Sequence, residues 1–339
     1  MGRLLLHAPG VHFGGGFILL KALILENDTE NIWANLDGRI SNLINLPSNL
    51  SYYFISPSYF ERFKAEFRLF ITSKNEDTTL CFNGLPPLFP VRGRVVVFLQ
   101  NRNHLGLNAL SEFSGQTRRR LRLQRIISRF FKGNVDEYIV QTPTMKRSVI
   151  QWHGNNPIVR VAPFMDTKIF SAKNKVSAAN KVFDFIYIAD GEQHKNHSKL
   201  IAAWILLSKE GIFPSLVLTL PKKSLKEINE INICVSKHGL KIENFSNLSH
   251  SEVLDLLGKT SALVFPSKSE SFGLPLIEAK LLNVPIIASE LDYVRDVCQP
   301  LQTFDPDSPT SIVSAIKRFL NIPSDGLKIR SAVEFLREL

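Results

Sequence analysis

The chain has 339 residues, too long for one small domain, so the length favours two domains or one large α/β unit. Hydrophobic residues make up 44% and charged residues 21%, which excludes a disordered chain, and three Cys are too few for a disulfide scaffold. The 41 Lys and Arg against 31 Asp and Glu give a net charge of +10, which predicts an anionic partner: nucleic acid, phospholipid or a phosphorylated substrate.

The cysteines and the apolar runs indicate the compartment. Cys81, Cys234 and Cys298 are scattered, without CxxC spacing or nearby His clusters, so we expect reduced thiols and no zinc site. No stretch approaches the roughly 18 apolar residues that cross a bilayer, and the run after Arg3 is too short for a signal peptide. We therefore expect a cytoplasmic protein or one peripheral to a membrane.

The chain opens with the pattern of a strand, a glycine-rich turn and a helix. RLLLHAP is a short apolar run, GVHFGGG follows it, and Phe17 to Leu25 has helical apolar spacing. Many phosphate-handling α/β domains begin in this way. Polar or helical stretches then separate further strands, and the alternation predicts a parallel sheet. These strands are Ile32 to Leu36, Leu80 to Phe82, Val95 to Leu99, Tyr138 to Val140 and Ile158 to Val161.

Most of the positive charge lies in the first half of the chain. The residues up to Met165 carry a net charge of +9 and the remainder +1. A large share belongs to RRRLRLQRIISRFFK, Arg118 to Lys132, which has seven basic residues and no acidic one. Arg118, Arg122, Arg125 and Arg129 recur at steps of four and three, while apolar residues follow the same period on another face, which predicts an amphipathic helix.

This helix has three interpretations. It suits an anionic membrane surface, where its arginines attract lipid and its apolar side chains insert. Alternatively the apolar face packs on the domain. Both interpretations hold together if the helix packs by its apolar face and only its arginines contact the membrane. RNA binding is the weakest of the three because no exposed aromatic residues are interleaved with the basic ones.

A domain boundary is predicted within the polar stretch Asp166 to Asn180. The same alternation then resumes, with strands at Phe183 to Ile188, Leu216 to Leu220, Ala262 to Phe265 and Pro285 to Ala288, and helices at Leu200 to Lys209 and from Gly273. Closing helices are predicted within residues 311–339. The resulting division is an acceptor-side domain at 1–170 and a donor domain at 171–339.

The most informative stretch is FPSKSESFGLPLIEAKLLNVPIIAS, Phe265 to Ser289, in which a strand delivers a polar loop, a helix and another strand. Ligands of open α/β sheets bind at that edge. Ser271 and Gly273 are suited to opening a helix whose free N–H groups hold phosphate oxygens. Glu270 and Glu278 flank this position, and carboxylates accept hydrogen bonds from sugar hydroxyls. Taken singly, each Glu is more simply a capping or solvated residue.

Together these features resemble the donor motif of the retaining family 4 glycosyltransferases, which have the GT-B fold of two Rossmann-like domains facing a cleft. YIADGEQHKNHSKLIAAW also resembles the first strand and helix of that family's donor domain, and GVHFGGG its N-terminal glycine-rich loop. VDEYIVQTPTMKRSV resembles the end of its acceptor domain. The phrase ADGEQHKNH is similar to a variant from bacterial surface polysaccharide assembly.

The resemblance implies roles for individual residues. Lys195 matches the basic residue on the donor diphosphate, Glu270 the acidic residue near the transferred sugar, and Glu278 the carboxylate on the ribose. Phe272, Gly273 and Leu274 match the loop that contacts sugar and phosphate in that family. Gly15 and Gly16 match the glycines that face this loop across the cleft. Where the family usually has an Arg before this Lys, the chain has Asp190, so another basic residue must compensate or activity is lost.

The implied reaction is transfer of a sugar from a nucleoside diphosphate sugar, with retention, to a saccharide or lipid-linked acceptor of cell-surface polysaccharide or O-antigen. It needs no metal or other cofactor, and the enzyme would sit peripherally on the inner face of the bacterial cytoplasmic membrane. The departure at Asp190 keeps open a catalytically degenerate binding subunit. A basic nucleic-acid-binding α/β protein is the least favoured alternative, and we expect no nucleic acid partner.

Three further residues are candidates on the acceptor side. His12 lies in the glycine-rich loop, where it could orient an acceptor or act as a base, or simply fill the strand end. Asn101 and His104 follow the strand at Val95 to Leu99, so both are predicted to face the cleft between the domains.

Overall fold

The computed structural model describes residues 2–26, 32–113, 115–166 and 180–323. The first seven strands in these residues form one parallel sheet. They are β1 (Leu4–Ala8), β2 (Ile32–Asp37), β3 (Ser51–Ile55), β4 (Thr78–Cys81), β5 (Arg94–Phe98), β6 (Glu137–Val140) and β7 (Val159–Val161). Their order across the sheet is β3-β2-β1-β4-β5-β6-β7.

The later strands form a second parallel sheet. They are β8 (Phe183–Tyr187), β9 (Leu216–Leu218), β10 (Ile242–Asn244), β11 (Thr260–Phe265), β12 (Ile286–Ser289) and β13 (Gln302–Phe304). Their order is β10-β9-β8-β11-β12-β13. In each sheet the first strand is central: the next two strands are added on one side of it, and the later strands are added on its other side. That reversal opens a crevice at the carboxyl ends of β1 and β4, and of β8 and β11, where α/β sheets bind ligands.

Helices cover both faces of the first sheet. They are α1 (Gly14–Leu25), α2 (Tyr59–Thr72), α3 (Gly115–Phe130) and α4 (Pro143–His153). Crossovers between parallel strands are right-handed, so α1, which leads outward, lies on one face, and α2, α3 and α4, which lead back, share the other. The second sheet is covered in the same way by α5 (His197–Lys209), α6 (Leu225–His238), α7 (His250–Gly258), α8 (Leu274–Leu281), α9 (Asp292–Arg295) and α10 (Pro309–Phe319).

The apolar strands are buried on both faces, as parallel sheets require. The second sheet has one continuous core, which contains Phe185, Trp204 and Leu263, all at most 1% exposed. The first sheet has two smaller cores, one under α1 around Leu20 and Phe82 and the other under α4 around Val97. The predicted parallel α/β architecture is confirmed, and each strand predicted from the sequence is present with ends that shift by at most two residues.

Several elements were not predicted: β10, β13, α4, α6, α7, α9 and the adjoining pair β3 and α2. β3 is an edge strand whose Tyr52, Tyr53 and Phe54 are exposed, and α2 exposes Phe60 and Phe67. Sequence patterns assume that apolar residues face a core, and here they face solvent.

Some predictions fall outside the described residues. Most of the boundary stretch Asp166 to Asn180 does, as do residues 324–339, the second part of the predicted closing region. The domain limits 1–170 and 171–339 therefore stay predictions. No helix among the described residues is both long and apolar enough to cross a bilayer.

The basic segment forms α3, but most of its predicted apolar face lies in solvent, and only Ile127 and Phe131 of that face are half-buried. Leu123, Ile126 and Phe130 are 41%, 49% and 79% exposed. The alternative in which the apolar face is buried is therefore wrong. Leu121 and Ser128, on the opposite side of the helix, are the buried residues, because they face the sheet.

Candidate active site

The candidate site is built on β8 and β11, the neighbouring strands where the order of the second sheet reverses. The loop after β8 carries Lys195, and the loop after β11 carries Glu270. The buried Tyr187 hydroxyl ties these loops together by donating to the Lys195 carbonyl at 2.6 Å and lying 3.0 Å from Ser267 Oγ. The Lys268 N–H also donates to the His194 carbonyl at 2.9 Å. The two loops are thus held before any ligand arrives.

Lys195 and Glu270 form an ion pair at the floor of the cleft. The ammonium Nζ donates to Glu270 Oε1 at 2.7 Å, and the side chains are 17% and 12% exposed. Burial by itself lowers the pKa of Lys195, but the charges of Glu270, Asp190 and Glu192 outweigh it, and the pKa is raised. Lys195 therefore stays a cation across the physiological range, as a residue that neutralises phosphate must.

Acidic side chains surround this lysine. Burial raises the pKa of Glu192, and the charge of the neighbouring Asp190 adds to the effect. Asp190 Oδ1 also accepts from the Glu192 N–H at 3.3 Å. Three carboxyl groups thus lie near one ammonium, so a bound diphosphate requires further positive charge from elsewhere.

Helix α8 begins beside Glu270. Gly273 precedes it in the left-handed conformation, with φ 72° and ψ 56°, which glycine adopts at no steric cost. The N–H groups of Leu276 and Ile277 both donate to the Gly273 carbonyl. Those of Gly273 and Leu274 have no acceptor among the described residues, so they are free to bind an anion at the positive end of the helix.

Glu278 lies one turn into α8, on the same side as Leu274, and is 3% exposed. Its Oε1 is 2.7 Å from Nε2 of His250, the first residue of α7. Burial opposes protonation of His250, but its hydrogen bond to Glu278 and the charge of that carboxylate prevail, and the pKa of His250 is raised. The alternative of a solvated Glu278 is therefore wrong: the side chain is a buried and oriented acceptor.

The first domain reaches the donor loop at two points. A Cβ added to Gly15 would lie 2.6 Å from Leu274 Cδ1, so a glycine there permits close approach of α1. A Cβ on Gly16 would lie 3.1 Å from Gln100 Oε1, within the first domain. The Arg102 N–H donates across the cleft to Ser271 Oγ at 2.9 Å. Phe272, the next loop residue, is 7% exposed.

Arg102 was not predicted. It follows Asn101 in a short 3-10 turn (Arg102–Leu105), and its Nε is buried without a hydrogen-bond partner among the described residues. Burial lowers its pKa, which the nearby charge of Glu270 partly offsets. A basic residue after a predicted strand end is the signal that could have identified it. His250, the other residue missed, gives no comparable signal, because it meets Glu278 only through the fold.

The acceptor-side candidates fall in different environments. His12 is partly buried in the glycine-rich loop, with Nδ1 3.1 Å from the Gly10 carbonyl, and burial lowers its pKa. Asn101 is exposed and accepts from the Asn103 N–H through Oδ1 at 3.0 Å. The prediction for His104 is wrong. It is 3% exposed, its Nδ1 lies 3.2 Å from the Gly84 carbonyl, and burial lowers its pKa to about 4, so it is a neutral core residue.

The predicted membrane arginines also differ among themselves. Arg125 does not face outward: its Nε and Nη2 donate to the carbonyls of Asn103 at 2.9 Å and Asn108 at 2.7 Å. Arg118 donates to the Phe113 carbonyl at 3.2 Å. Arg122 and Arg129 are exposed, beside the exposed apolar residues of α3. The outer surface of this helix thus mixes cationic and apolar side chains.

Comparisons with known proteins identify similar chains. Residues 169–333 match the family model described as Glycosyl transferases group 1. The serotype-specific mannosyltransferase WbdA of Escherichia coli is 25% identical over 197 residues, which is 53% of this chain and 24% of the relative. The O-antigen chain mannosyltransferase RfbU of Salmonella typhimurium is 36% identical over 84 residues, 24% of each chain. The chain thus spans about a quarter of the length of the curated relatives it matches.

The crystal structure of Anabaena Alr3699/HepE in complex with UDP and glucose superposes with a TM-score of 0.66 at 14% identity, over 94% of this chain and 90% of that one. At this identity the similarity establishes the fold. The chain has the GT-B fold, with two Rossmann-like domains.

Proposed function

We propose that the protein is a glycosyltransferase that moves a sugar from a nucleoside diphosphate sugar to a saccharide or lipid-linked acceptor. The observation that carries the proposal is the arrangement around the start of α8. The Lys195–Glu270 pair involves the loop that precedes its free N–H groups, and the buried Glu278 lies one turn into the helix. The names of WbdA and RfbU, both mannosyltransferases, support the assembly of O-antigen or another surface polysaccharide.

Each part of the site has a role in donor binding. Glu278, held by His250, accepts hydrogen bonds from the ribose hydroxyls. The N–H groups of Gly273 and Leu274 and the ammonium of Lys195 bind the diphosphate. Glu270, with its second carboxylate oxygen free of Lys195, orients the hydroxyls of the transferred sugar.

Arg102 supplies the positive charge that the family pattern places where this chain has Asp190. Its main chain is joined to Ser271 across the cleft, and its guanidinium lies near Glu270 with an unused buried donor. A guanidinium forms paired hydrogen bonds with phosphate, so it suits a departing diphosphate. Because Arg102 belongs to the first domain, this charge is in place only when the domains meet.

The chemistry follows the retaining, family 4 scheme without metal or other cofactor. As the bond to the anomeric carbon breaks, the leaving diphosphate takes the proton of the acceptor hydroxyl, which attacks the same face of the sugar. The protein forms no covalent bond in this scheme. Lys195, Arg102 and the helix N–H groups stabilise the charge that develops on the diphosphate, a type of contribution worth about 3 to 4 kcal/mol per donor.

The acceptor end of the reaction lies at an anionic membrane surface on the cytoplasmic side. The outer face of α3 carries Arg122 and Arg129 beside Ile126 and Phe130, and α2 lies on the same face of the sheet. α2 exposes four apolar side chains there: Phe60, Phe63, Phe67 and Ile71. Apolar side chains among cations match the interface of anionic phospholipids.

A nucleotide-sugar panel tests the proposal. We expect at least one of the UDP-, GDP- and dTDP-sugars to raise the melting temperature of the full chain. Glu278→Ala should abolish this rise, Glu278→Gln should weaken it, and Glu243→Ala, an exposed carboxylate on β10, should leave it unchanged. The absence of a rise with every donor would reject the proposal. Binding of a donor without release of sugar to any acceptor would support the degenerate binding subunit instead.

A further inference from the structure

A group of arginines lies in the first domain, near the carboxyl end of its sheet and across the cleft from the loop that carries Glu192. Arg62 belongs to the first turn of α2, Arg39 follows β2, and Arg120 lies in α3. The Arg62 guanidinium packs directly on Gly10, which follows β1. A Cβ at Gly10 would lie 2.4 Å from Arg62 Nη2, and Gly10 has a φ of 88°. Glycine is thus required where this arginine enters the cleft.

The charges of Arg39 and Arg120, which is exposed on α3, act on both Arg62 and His12. Burial lowers the pKa of Arg62; the charge of Asp37 opposes this, and those of Arg39 and Arg120 lower it further. Burial also lowers the pKa of His12, and the same two arginines add to the effect. These influences come from three different elements, so the convergence is a product of the fold.

The charge of this group is only partly compensated. Asp37 accepts from Arg39 Nε and Nη2, both at 2.8 Å, and from the Gly10 N–H at 2.8 Å, so its oxygens are committed. Within the part of the chain that the structure describes, no hydrogen bond or ion pair engages the side chains of Arg62 and Arg120. The charge of Arg120 reaches Glu192 across the cleft, but the two residues form no ion pair.

The half-buried Arg62 is costly in the free protein, because its charge has left water and the charge of Asp37, which is already committed to Arg39, only partly compensates the loss. A ligand that brings negative charge removes this cost, whereas a neutral saccharide does not. Two guanidinium groups present planar pairs of N–H donors, the geometry that phosphate oxygens accept. His12, kept neutral above its lowered pKa, can both donate to and accept from a nearby hydroxyl.

We propose that Arg62 and Arg120, assisted by His12, bind a phosphate or diphosphate group carried by the acceptor. The inference rests on the proposed function, since it places the acceptor opposite the donor site. The acceptor class is thereby narrowed to phosphorylated saccharides or lipids. The phosphate belongs to the acceptor itself. A phospholipid headgroup also carries phosphate, and the test below separates the two sources.

The test uses inorganic pyrophosphate as the probe and the full chain with its donor site saturated by whichever nucleoside diphosphate stabilises it. We expect pyrophosphate to bind, and Arg62→Gln or Arg120→Gln to weaken binding by about tenfold to a hundredfold. Arg62→Lys should give an intermediate loss, because it keeps the charge but not the paired donors. Arg119→Gln, the exposed neighbour on α3, is the matched control and should bind as the unmodified chain does.

Three outcomes overturn the site: no pyrophosphate binding, binding that survives both glutamine variants, or equal loss in Arg119→Gln. If no nucleoside diphosphate stabilises the chain, the proposed function fails, and the probe is titrated into the free protein as an independent measurement. Sedimentation with phosphatidylglycerol vesicles separates the two sources of phosphate. Unchanged vesicle binding by Arg62→Gln supports the acceptor, and its loss assigns the arginines to lipid headgroups and overturns the proposal.

Discussion

The two halves of the molecule have the same central strand order, but they differ in how many hydrophobic side chains they leave exposed. The second half packs one continuous core, and among its described residues five large hydrophobic side chains are exposed: Val182, Phe213, Leu225, Ile233 and Leu301. The first half divides its core in two and exposes many more, chiefly on β3, α2 and α3. A soluble domain gains nothing from exposed aromatic residues, so the difference indicates a surface for binding.

The polar groups differ in the same sense. In the second half, Lys195 is paired with Glu270 and His250 with Glu278 before any ligand arrives. In the first half, Arg62 and Arg120 are held near each other without such partners among the described residues. One half is therefore preorganised around a small ligand, and the other presents unsatisfied charge and apolar surface to something larger.

The sharpest test of the preorganised half is Lys195→Gln. We expect kcat/KM for sugar transfer to fall by about 100- to 1,000-fold, since the variant removes the cation beside the departing diphosphate. Lys199→Gln, one turn along α5, should retain full activity. A small effect of Lys195→Gln would show that donor chemistry does not depend on this pair.

Truncating a leucine should cost more free energy of unfolding where the side chain is buried than where it is exposed. Leu263→Ala in β11 removes a side chain that is fully buried, and we expect the free energy of unfolding to fall by about 2 to 5 kcal/mol. Leu123→Ala on α3 removes one that is 41% exposed, and we expect a change within about 0.5 kcal/mol. Urea denaturation measures both. A large loss in Leu123→Ala would mean that α3 is packed against the domain after all.

Arg102→Gln tests whether the first half contributes to donor chemistry. We expect a loss of about 1.5 to 3 kcal/mol, some 10- to 100-fold in kcat, because a charged hydrogen bond to the diphosphate is removed. The melting-temperature rise with nucleoside diphosphate should also become smaller, since Arg102 offsets the three carboxyl groups near Lys195 when the diphosphate is bound. A loss of binding with unchanged kcat would place Arg102 in ground-state binding instead.

The outer surface of α3 is tested by Arg122→Glu combined with Arg129→Glu. Each lost basic residue near an anionic surface costs about 1 kcal/mol, so vesicle binding should weaken by roughly 30-fold or more. Lys237→Glu with Lys241→Glu, two exposed lysines of the second half, is the control. Equal effects of the two double variants would mean that total charge, and not this helix, controls binding.

The smallest expected effect is a pH dependence at His250. The pKa of His250 is raised in the folded state. Its protonated form, paired with Glu278, therefore stabilises the fold fully below the pKa of the unfolded chain, and this contribution is lost as pH rises through the pKa of the folded chain. The unfolding free energy of the unmodified chain should exceed that of His250→Gln by about 1 kcal/mol near pH 6, and by less at pH 8. A difference that grows with pH would contradict the assignment.

Periodicity was a reliable guide to the central strands, although it missed α4 and α7, which also bury apolar residues. The strands from Leu4 to Ala8 and from Thr260 to Phe265 are buried on both faces, and their apolar runs predicted them. In α2 the apolar stripe of Phe60, Phe63 and Phe67 faces outward, so its pattern indicates no core and the helix was missed. In α3 the period predicted a helix but assigned its faces wrongly, since a period does not say which side the domain covers.

By itself the sequence determined the alternation of strands and helices, and the polar loop and following helix that carry Glu270 and Glu278, because these depend on residues adjacent in the chain. Tertiary structure alone decided which groups meet across long separations. His250 reaches Glu278 over 28 residues, and Arg102 reaches Ser271 over 169. Arg62 and Arg120 converge for the same reason: both crossovers lead back over one face of the sheet. The sequence shows which residues are charged or polar. Whether such a residue finds a partner of opposite charge or a hydrogen-bond partner depends on the residues that tertiary packing brings beside it.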